Sequence, residues 1–274
     1  MNITTEICNS FNTHAKEYEA SAIVQKEIGL RLFARLDYLK INPKYVLDLG
    51  CGSGFFLEQL KKRYPDAVVV GLDIAFMMLK EANENVLVNG DMVKMPFSNG
   101  VFDLVFANQV IHWTNSFSLL MQEIKRVMNV DSYFMFSTLG IDTFCELKTA
   151  WLHVDNYSHI NDFIDMHNLG DILLNEQFVD PVVDMEKIII KYASAAKMLN
   201  SLKAQGVRNI NSKRKQGLTT KKSLLIFKQK LAELAAADGK ISLTYEVIYG
   251  HALKGGFRES FIPISGLRKS NNPV

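Results

Sequence analysis

Three glycines at alternating positions, Gly50, Gly52 and Gly54, interrupt "VLDLGCGSGFF" between an apolar run and the start of a helix-patterned segment. Glycines in such a loop let backbone N–H groups come close to a ligand at a helix N-terminus. The spacing is GxGxG and not the GxGxxG of a dinucleotide fingerprint, which would want glycine where this chain has Phe55. Two carboxylates follow at the ends of later apolar runs. Asp73 in "VGLDIA" can accept hydrogen bonds from both ribose hydroxyls of a nucleoside, and Asp91 in "NGDMVKMPF" can accept from an adenine amine. A further run ends in "FANQVIHW", with Asn108 and Gln109 at its mouth. The chemistry open to this set is the holding of a nucleoside-bearing ligand.

A second polar concentration is "AWLHVDNYSHINDF", Ala150 to Phe163, with His153, His159, Asp155 and Asn161. No HExxH motif or other histidine–carboxylate spacing of a known metal type is present, so no metal is expected. The stretch reads as a lid lining over a substrate. Between Ser201 and Ala232 the chain carries Lys203, Arg208, Lys213, Arg214, Lys215, Lys221, Lys222, Lys228 and Lys230 and no acid, although the net charge is only +2. Such a block can meet an acidic protein, a phosphate or a nucleic acid. Phe227 is its lone aromatic, too few for a base-stacking platform, so no nucleic acid is expected.

These residues need a scaffold. At 274 residues and 48% hydrophobic, the chain can bury the core of one elaborated domain, or of a domain with a cap. No apolar window reaches the length of about 18 residues that spans a bilayer, so no membrane partner is expected. The start, "MNITTEICNSFNTHAKEYE", lacks the basic and apolar regions of a signal peptide. Cys8, Cys51 and Cys145 form no CxxC pair and suit a reducing, cytoplasmic setting.

Between residues 44 and 140 strand and helix patterns alternate: "KYVLDLG", "FFLEQLKKRY", "AVVVGLD", "AFMMLKEANE", "NVLVNGD", "VFDLVFAN", "SFSLLMQEIKRVM" and "SYFMFSTL". Such alternation predicts right-handed crossovers and a parallel sheet covered on both faces. Open sheets of this kind bind ligands at the carboxyl ends of their strands, where the glycine loop, Asp73, Asp91 and Asn108 all fall. Residues 142–176 read as helical and polar. "VDPVVDMEKIIIKY" and "ISLTYEVIYGHAL" read as two strands completing the sheet at its far edge. Helical insertions at about 141–176 and 193–239 would form the cap, and 253–274 reads as a poorly ordered tail.

Together "LDLGCGSG", "GLD", "GDMVKMPF" and "FDLVFANQVIHW" resemble the class I S-adenosylmethionine-dependent methyltransferases, in order and spacing, over about residues 44–140. The resemblance implies a Rossmann-like α/β fold with seven strands, one of them an antiparallel edge strand. It implies S-adenosylmethionine as cofactor, with residues 41–140 as the core that binds it. Asp48, Gly50, Cys51 and Gly52 then fall at the loop for the methionine part, Asp73 and Ile74 at the ribose, Asp91 and Met92 at the adenine. Asn108 and Gln109 follow the fourth strand. "SFNTHAKEYEASAIVQKEI" resembles the N-terminal helices of the same group, so residues 1–40 would close over the cofactor with Tyr18 at its methionine end.

Methyl transfer from a sulfonium is an in-line displacement, for which a protein supplies alignment and dehydration. Base amines usually go with an "NPPY"-like turn after the fourth strand; here that position reads "ANQV". A hydroxyl nucleophile wants a general base. A carboxylate, with a pKa of about 4, is already ionised and needs none. "AWLHVDNYSHINDFIDMHNLGDILL", "FVDPVVDMEKIIIKY", "LKAQGVRN" and "LTYEVIYGHA" resemble the malonyl-acyl-carrier-protein O-methyltransferase family, through most of the chain to about Ala252. That resemblance implies esterification of a malonyl thioester carboxyl early in biotin synthesis, with no acid–base residue. It makes Tyr18, His153, His159, Asn161 and Arg208 candidates for holding the substrate. Arg208, Lys213, Arg214, Lys215, Lys221 and Lys222 become candidates for docking acyl carrier protein, with malonyl-coenzyme A as the alternative carrier. A sister group acts on protein arginine during respiratory-complex assembly, and another small carboxylate is a further alternative. Trp113 is either a wall of the methyl pocket or a core aromatic, Cys51 a small packing residue, His112 a satisfied histidine, and Met77 and Met78 core filler.

Overall fold

The computed structural model describes residues 3–82, 86–114, 116–211 and 213–256. Seven strands form one sheet in the order β3-β2-β1-β4-β5-β7-β6: β1 (Tyr45–Leu49), β2 (Val68–Asp73), β3 (Leu87–Asn89), β4 (Phe102–Asn108), β5 (Met128–Leu139), β6 (Val179–Tyr192) and β7 (Ile241–Lys254). The first five pair in parallel, while β7 runs antiparallel to both β5 and β6. The antiparallel strand is therefore not the edge strand that the resemblance implied. It lies inside, and β6 forms the edge. Burial explains the order: β7 is covered along nearly its whole length, whereas β6 alternates exposed and half-buried positions.

The short β1 is buried at Val46, Leu47, Asp48 and Leu49 alike, as a central parallel strand must be. Its alternate side chains feed two cores. On one face Val46, Leu104 and Phe106 meet Ile28 and Leu32 of α2 (Ile23–Arg35) and Leu57 and Leu60 of α3 (Phe55–Arg63). On the other, Leu47, Leu49 and Val105 meet Leu120 and Ile124 of α5 (Phe117–Val127) and Leu169 and Leu173 of α7 (Met166–Asn175). Helix α7 is thus a sheet-covering crossover helix and not part of the cap, so the first cap insertion is shorter than the sequence suggested. Helix α4 (Phe76–Glu81) follows β2.

The cap consists of α6 (Cys145–Trp151), the irregular segment 152–165, α8 (Ala195–Ala204) and α9 (Lys221–Glu233). At its centre the Trp151 ring lies between Phe227, with centroids 4.2 Å apart, and His159, at 3.6 Å and near-parallel. Most of the stretch expected to be helical from 142 to 176 is therefore loop, organised by this stack. Strand β7 continues to Lys254, past the expected start of the tail; residues 257–274 lie outside the described residues.

Helix α1 (Ile3–Ser21) lies across the carboxyl ends of the strands. Cys8 donates to the Ile74 carbonyl at 3.4 Å, and the Asn12 side-chain carbonyl accepts from the Met77 N–H at 2.8 Å, which ties α1 to the start of α4. Ser10 and Ser21 donate to the carbonyls of Gly206 and Ala204, tying it to the cap.

One glycine carries a steric load in the core. Gly250 on β7 faces Phe136 on β5, and an added Cβ would fall 2.3 Å from the Phe136 ring. Gly250→Ala is expected to lower stability by about 1–3 kcal/mol through overpacking. Gly250→Ala with Phe136→Leu should lose less than the sum of the single changes, read by denaturant titration.

Candidate functional site

The loop after β1 is held by the residues at and just beyond the end of β2. The Leu72 carbonyl accepts from the N–H groups of Gly50 and Cys51 at 2.7 and 3.1 Å. Asp73 Oδ2 accepts from Gly52 N–H at 2.9 Å, and its Oδ1 from Ala75 N–H at 2.7 Å. Asn89 at the end of β3 donates to the carbonyls of Asp73 and Ile74 at 3.0 and 2.9 Å, so three loops are locked together. Gly50 and Gly52 have φ of 71° and 53°. A Cβ on Gly50 would strike Val110 at 2.4 Å, and one on Gly52 would project toward Met78 and Tyr18.

These loops floor a cleft of about 210 Å³. Its roof is one stripe of α1, with Thr4, Ile7, Phe11 and Tyr18 at helical spacing. Of the residues expected at the cofactor, Tyr18, Gly50, Gly52, Asp73, Ile74, Asp91, Met92, Asn108 and Gln109 line the cleft. Asp48 and Cys51 do not line it; both are buried beneath the glycine loop. Met78, expected as filler, forms part of the wall. The cleft fits S-adenosylmethionine: each Asp73 oxygen takes one N–H and keeps a further lone pair for a ribose hydroxyl. Gly52 leaves open the space that a side chain would fill.

Electrostatics beneath the loop are unusual. Burial raises the Asp73 pKa, and the N–H groups it accepts draw it part of the way back. Asp48 is pushed up to about 8, first by burial and then by Asp73. Its Oδ2 is buried without a hydrogen-bond partner among the described residues. Burial and the same two acids push the Cys51 thiol up, which makes it a packing residue and not a thiolate. The Tyr18 phenol is likewise raised by burial and by Asp73.

Beyond Gln109 a second, smaller pocket of about 40 Å³ opens under the cap, sharing Phe11, Tyr18, Gln109 and Trp113 with the cleft. Gln109 is left-handed at φ 55°, and its N–H donates to the Ser137 carbonyl and hydroxyl. The Asn108 amide is occupied, donating to the Gln25 carbonyl and accepting from the Ser137 hydroxyl. The small pocket is walled by Leu139, Phe144 and Phe163 and carries Gln25, His112, Gln205 and Tyr245. Gln25 Oε1, His112 Nδ1 and the Tyr245 hydroxyl are buried without a hydrogen-bond partner within bonding distance, although Tyr245 stands beside Gln205. Burial lowers the His112 pKa to about 3, so its ring is neutral. The sequence reading of His112 as satisfied is thus corrected, and Trp113 is a pocket wall. Gln25, Gln205 and Tyr245 gave no sequence signal, because they come from α2, the end of α8 and β7. His112 did give one, following the fourth strand directly.

The cap candidates lie elsewhere. His153 is exposed and lines neither the cleft nor the small pocket. His159 is stacked on Trp151 and bonded to Asp155 at 2.7 Å, which makes it a part of the cap core. Asn161 borders the small pocket, but its amide donates to the Arg208 carbonyl at 2.9 Å and accepts from Ile210 N–H at 2.7 Å. Arg208 is exposed. Of the docking candidates, Arg214 is paired with Glu6 at 2.8 Å and Lys215 lies 3.8 Å from Asp155. Lys213, Lys221 and Lys222 are exposed. Among the described residues no group of three or more His, Cys, Asp or Glu side chains could hold a metal, and no helix is long and apolar enough to cross a membrane.

Two measurements test this geometry. Asp73→Ala should weaken S-adenosylhomocysteine binding at least tenfold in calorimetry, because it removes a charged acceptor and frees the loop. Asp48 holds its proton more tightly when folded than when unfolded. Its contribution to stability is complete below about pH 4, the ordinary carboxylate range, and is lost as the pH rises toward the folded value of about 8. Asp48→Asn should therefore flatten the decline of melting temperature between these limits; an unaltered slope would refute the assignment.

Residues 47–136 match the family model described as a methyltransferase domain. Among solved structures the fold is similar to the YcgJ protein of Bacillus subtilis, with TM-score 0.59 and 16% identity over 82% of this chain and 98% of that one. It is also similar to a putative methyltransferase of Bacillus halodurans, with TM-score 0.56 and 16% identity over 83% of this chain and 100% of that one. The malonyl-acyl-carrier-protein O-methyltransferase of Legionella pneumophila is 50% identical over 284 residues, covering 99% of this chain and 100% of that protein. The protein of the same name from Gallionella capsiferriformans is 37% identical over 89% of each chain. With its glycine loop, its Asp73 anchor and identity that runs through the cap as well as the core, the chain belongs to the malonyl-acyl-carrier-protein O-methyltransferase family.

Proposed function

We propose that the chain methylates the free carboxylate of a malonyl thioester, carried on acyl carrier protein or coenzyme A, at an early step of biotin synthesis. When bound, S-adenosylmethionine supplies a sulfonium methyl group that a carboxylate oxygen accepts in line, leaving a neutral thioether and a methyl ester. No proton moves, so no residue has to act as acid or base. The observation that carries the reading is the composition of the small pocket. It adjoins the cleft, holds buried neutral polar groups, and contains no Lys or Arg.

A carboxylate taken out of water needs hydrogen bonds. His112, in the tautomer protonated at Nδ1, and the Tyr245 hydroxyl can give them without pairing a full positive charge to the nucleophile. The Gln25 amide lies at the same wall. A cation there would hold charge that must vanish during transfer; neutral donors hold it loosely. Phe11, Trp113, Phe144 and Phe163 keep water out, and Tyr18 stands between the two cavities. At about 40 Å³ the pocket has room for about three water-sized groups, which suits a carboxylate and its methylene. The exposed Arg208, Lys213, Lys221 and Lys222 favour an acidic carrier outside, by charge complementarity that added salt should weaken.

Incubation with S-adenosylmethionine and malonyl-acyl carrier protein should yield the methyl ester by mass spectrometry. Turnover of neither the carrier-protein nor the coenzyme A thioester overturns the proposal. His112→Phe should raise KM for the malonyl thioester about 10- to 100-fold, the worth of a hydrogen bond to a charged group. S-adenosylhomocysteine binding should hold, and His112→Asn should restore part of the loss.

A further inference from the structure

A third cavity opens on the outer side of the small pocket. It is a groove of about 550 Å³ between the middle of α1, helices α6 and α8, and the segments 159–163 and 206–209. It shares Phe144, Asn161, Phe163 and Val207 with the small pocket, and the small pocket shares Phe11, Tyr18, Gln109 and Trp113 with the cleft. The three cavities therefore adjoin one another in series, the groove on the outside and the cofactor cleft innermost. Leu147, Trp151, Leu199 and Leu202 give the groove an apolar wall. Lys203 and Arg208 line it without lining the small pocket. Both are exposed, and neither has an ion-pair partner among the described residues.

The groove is built, not incidental. Asn161 ties Arg208 and Ile210 to the 159–163 segment through both ends of its amide. Asn209 donates to the Ser158 carbonyl at 2.6 Å, and the Ser158 N–H donates to the Lys213 carbonyl at 3.2 Å. Ser10 donates to the Gly206 carbonyl at 2.9 Å across the floor. Residues 206–211 are thereby fixed against α1 and the cap, and Arg208 and Lys213 are exposed to solvent.

We infer that this groove is the berth of the phosphopantetheine arm of an acyl carrier protein, with its phosphate at Arg208 and Lys203 and its thioester end leading into the small pocket. The inference rests on the proposed reaction, since a thioester carried on an arm has to be delivered to a carboxylate site too small to admit its carrier. The chemistry agrees at both ends: an apolar wall for the arm's methyl-bearing body, and exposed cations for its phosphate. The exposed Lys221 and Lys222 extend the positive character of the same cap toward an acidic carrier.

Two substrates separate the berth from the reaction. Malonyl-acyl carrier protein presents the whole arm, whereas the malonyl thioester of N-acetylcysteamine lacks the phosphate and most of the body. Arg208→Glu and Leu199→Trp, which reverses the charge and fills the groove, should each lower the ratio of kcat/KM for the long substrate to that for the short one at least tenfold. Equal losses on both substrates, or none on either, overturn the inference. A turnover-free readout accompanies it. Holo-acyl carrier protein should bind the wild-type chain at least tenfold more tightly than apo-acyl carrier protein, and Arg208→Glu should erase that difference, with coenzyme A competing. Equal binding of holo and apo forms overturns the berth. Preferential binding of the holo form without methylation upholds the berth and overturns the proposed reaction instead.

Discussion

A carboxylate removed from water has to be given donors, and Asp73 receives them from the backbone of two different loops. Its oxygens accept from Gly52, in the loop after β1, and from Ala75, in the loop after β2. Each such charge-assisted bond contributes more than a neutral one, and an unpaired buried carboxylate would cost several kcal/mol. The left-handed backbone at Gly50 and Gly52 is a consequence of this tie, since the loop must turn its N–H groups inward. Asp48 lies below, its Oδ2 without a donor among the described residues, and it answers the same burial with a raised pKa that favours the proton. One buried acid is satisfied by the backbone, and its neighbour is neutralised.

The roof inherits its position from that floor. Helix α1 is bonded on one side to Ile74 and Met77, just beyond Asp73, and on the other to Ala204 and Gly206 in the cap. Its single stripe lines the cleft, and two members of that stripe, Phe11 and Tyr18, also line the small pocket. The cleft and the small pocket thus share one wall. Whatever fills the cleft and orders Phe11 and Tyr18 also orders a wall of the small pocket.

The legible part of the sequence was local. The glycine loop, Asp73, Asp91 and Asn108 follow strand ends that periodicity reveals, and chain order alone places them at one edge of the sheet. The strand spans of β6 and β7 were equally plain, since β7 opens in polar and apolar alternation and β6 carries the run Ile188, Ile189 and Ile190. The order of those strands was not readable in these patterns, and the resemblance to relatives pointed to an antiparallel edge. The small pocket was not legible. Gln25, Gln205 and Tyr245 are brought together by tertiary packing, and nothing in their neighbourhoods marks them. His159 misled for the opposite reason: a polar cluster in sequence looked like a site, while in space its ring completes a stack with Trp151 and Phe227.

The placement of charge reflects the reaction's own demand. Negative charge on the nucleophile disappears as the new bond forms, so groups that bind it strongly in the ground state slow the step they seem to help. A buried Arg beside the carboxylate would be such a group, and the small pocket holds none. Cations are useful where charge stays constant, as on a phosphate or on the acidic face of a carrier protein. Lys203, Arg208, Lys213, Lys221 and Lys222 are exposed, where water and salt keep their attractions reversible. On the proposed reaction the neutral pocket and the basic rim are complementary: exposed, screened attraction suits the charge that persists, and weak, dry contacts suit the charge that vanishes.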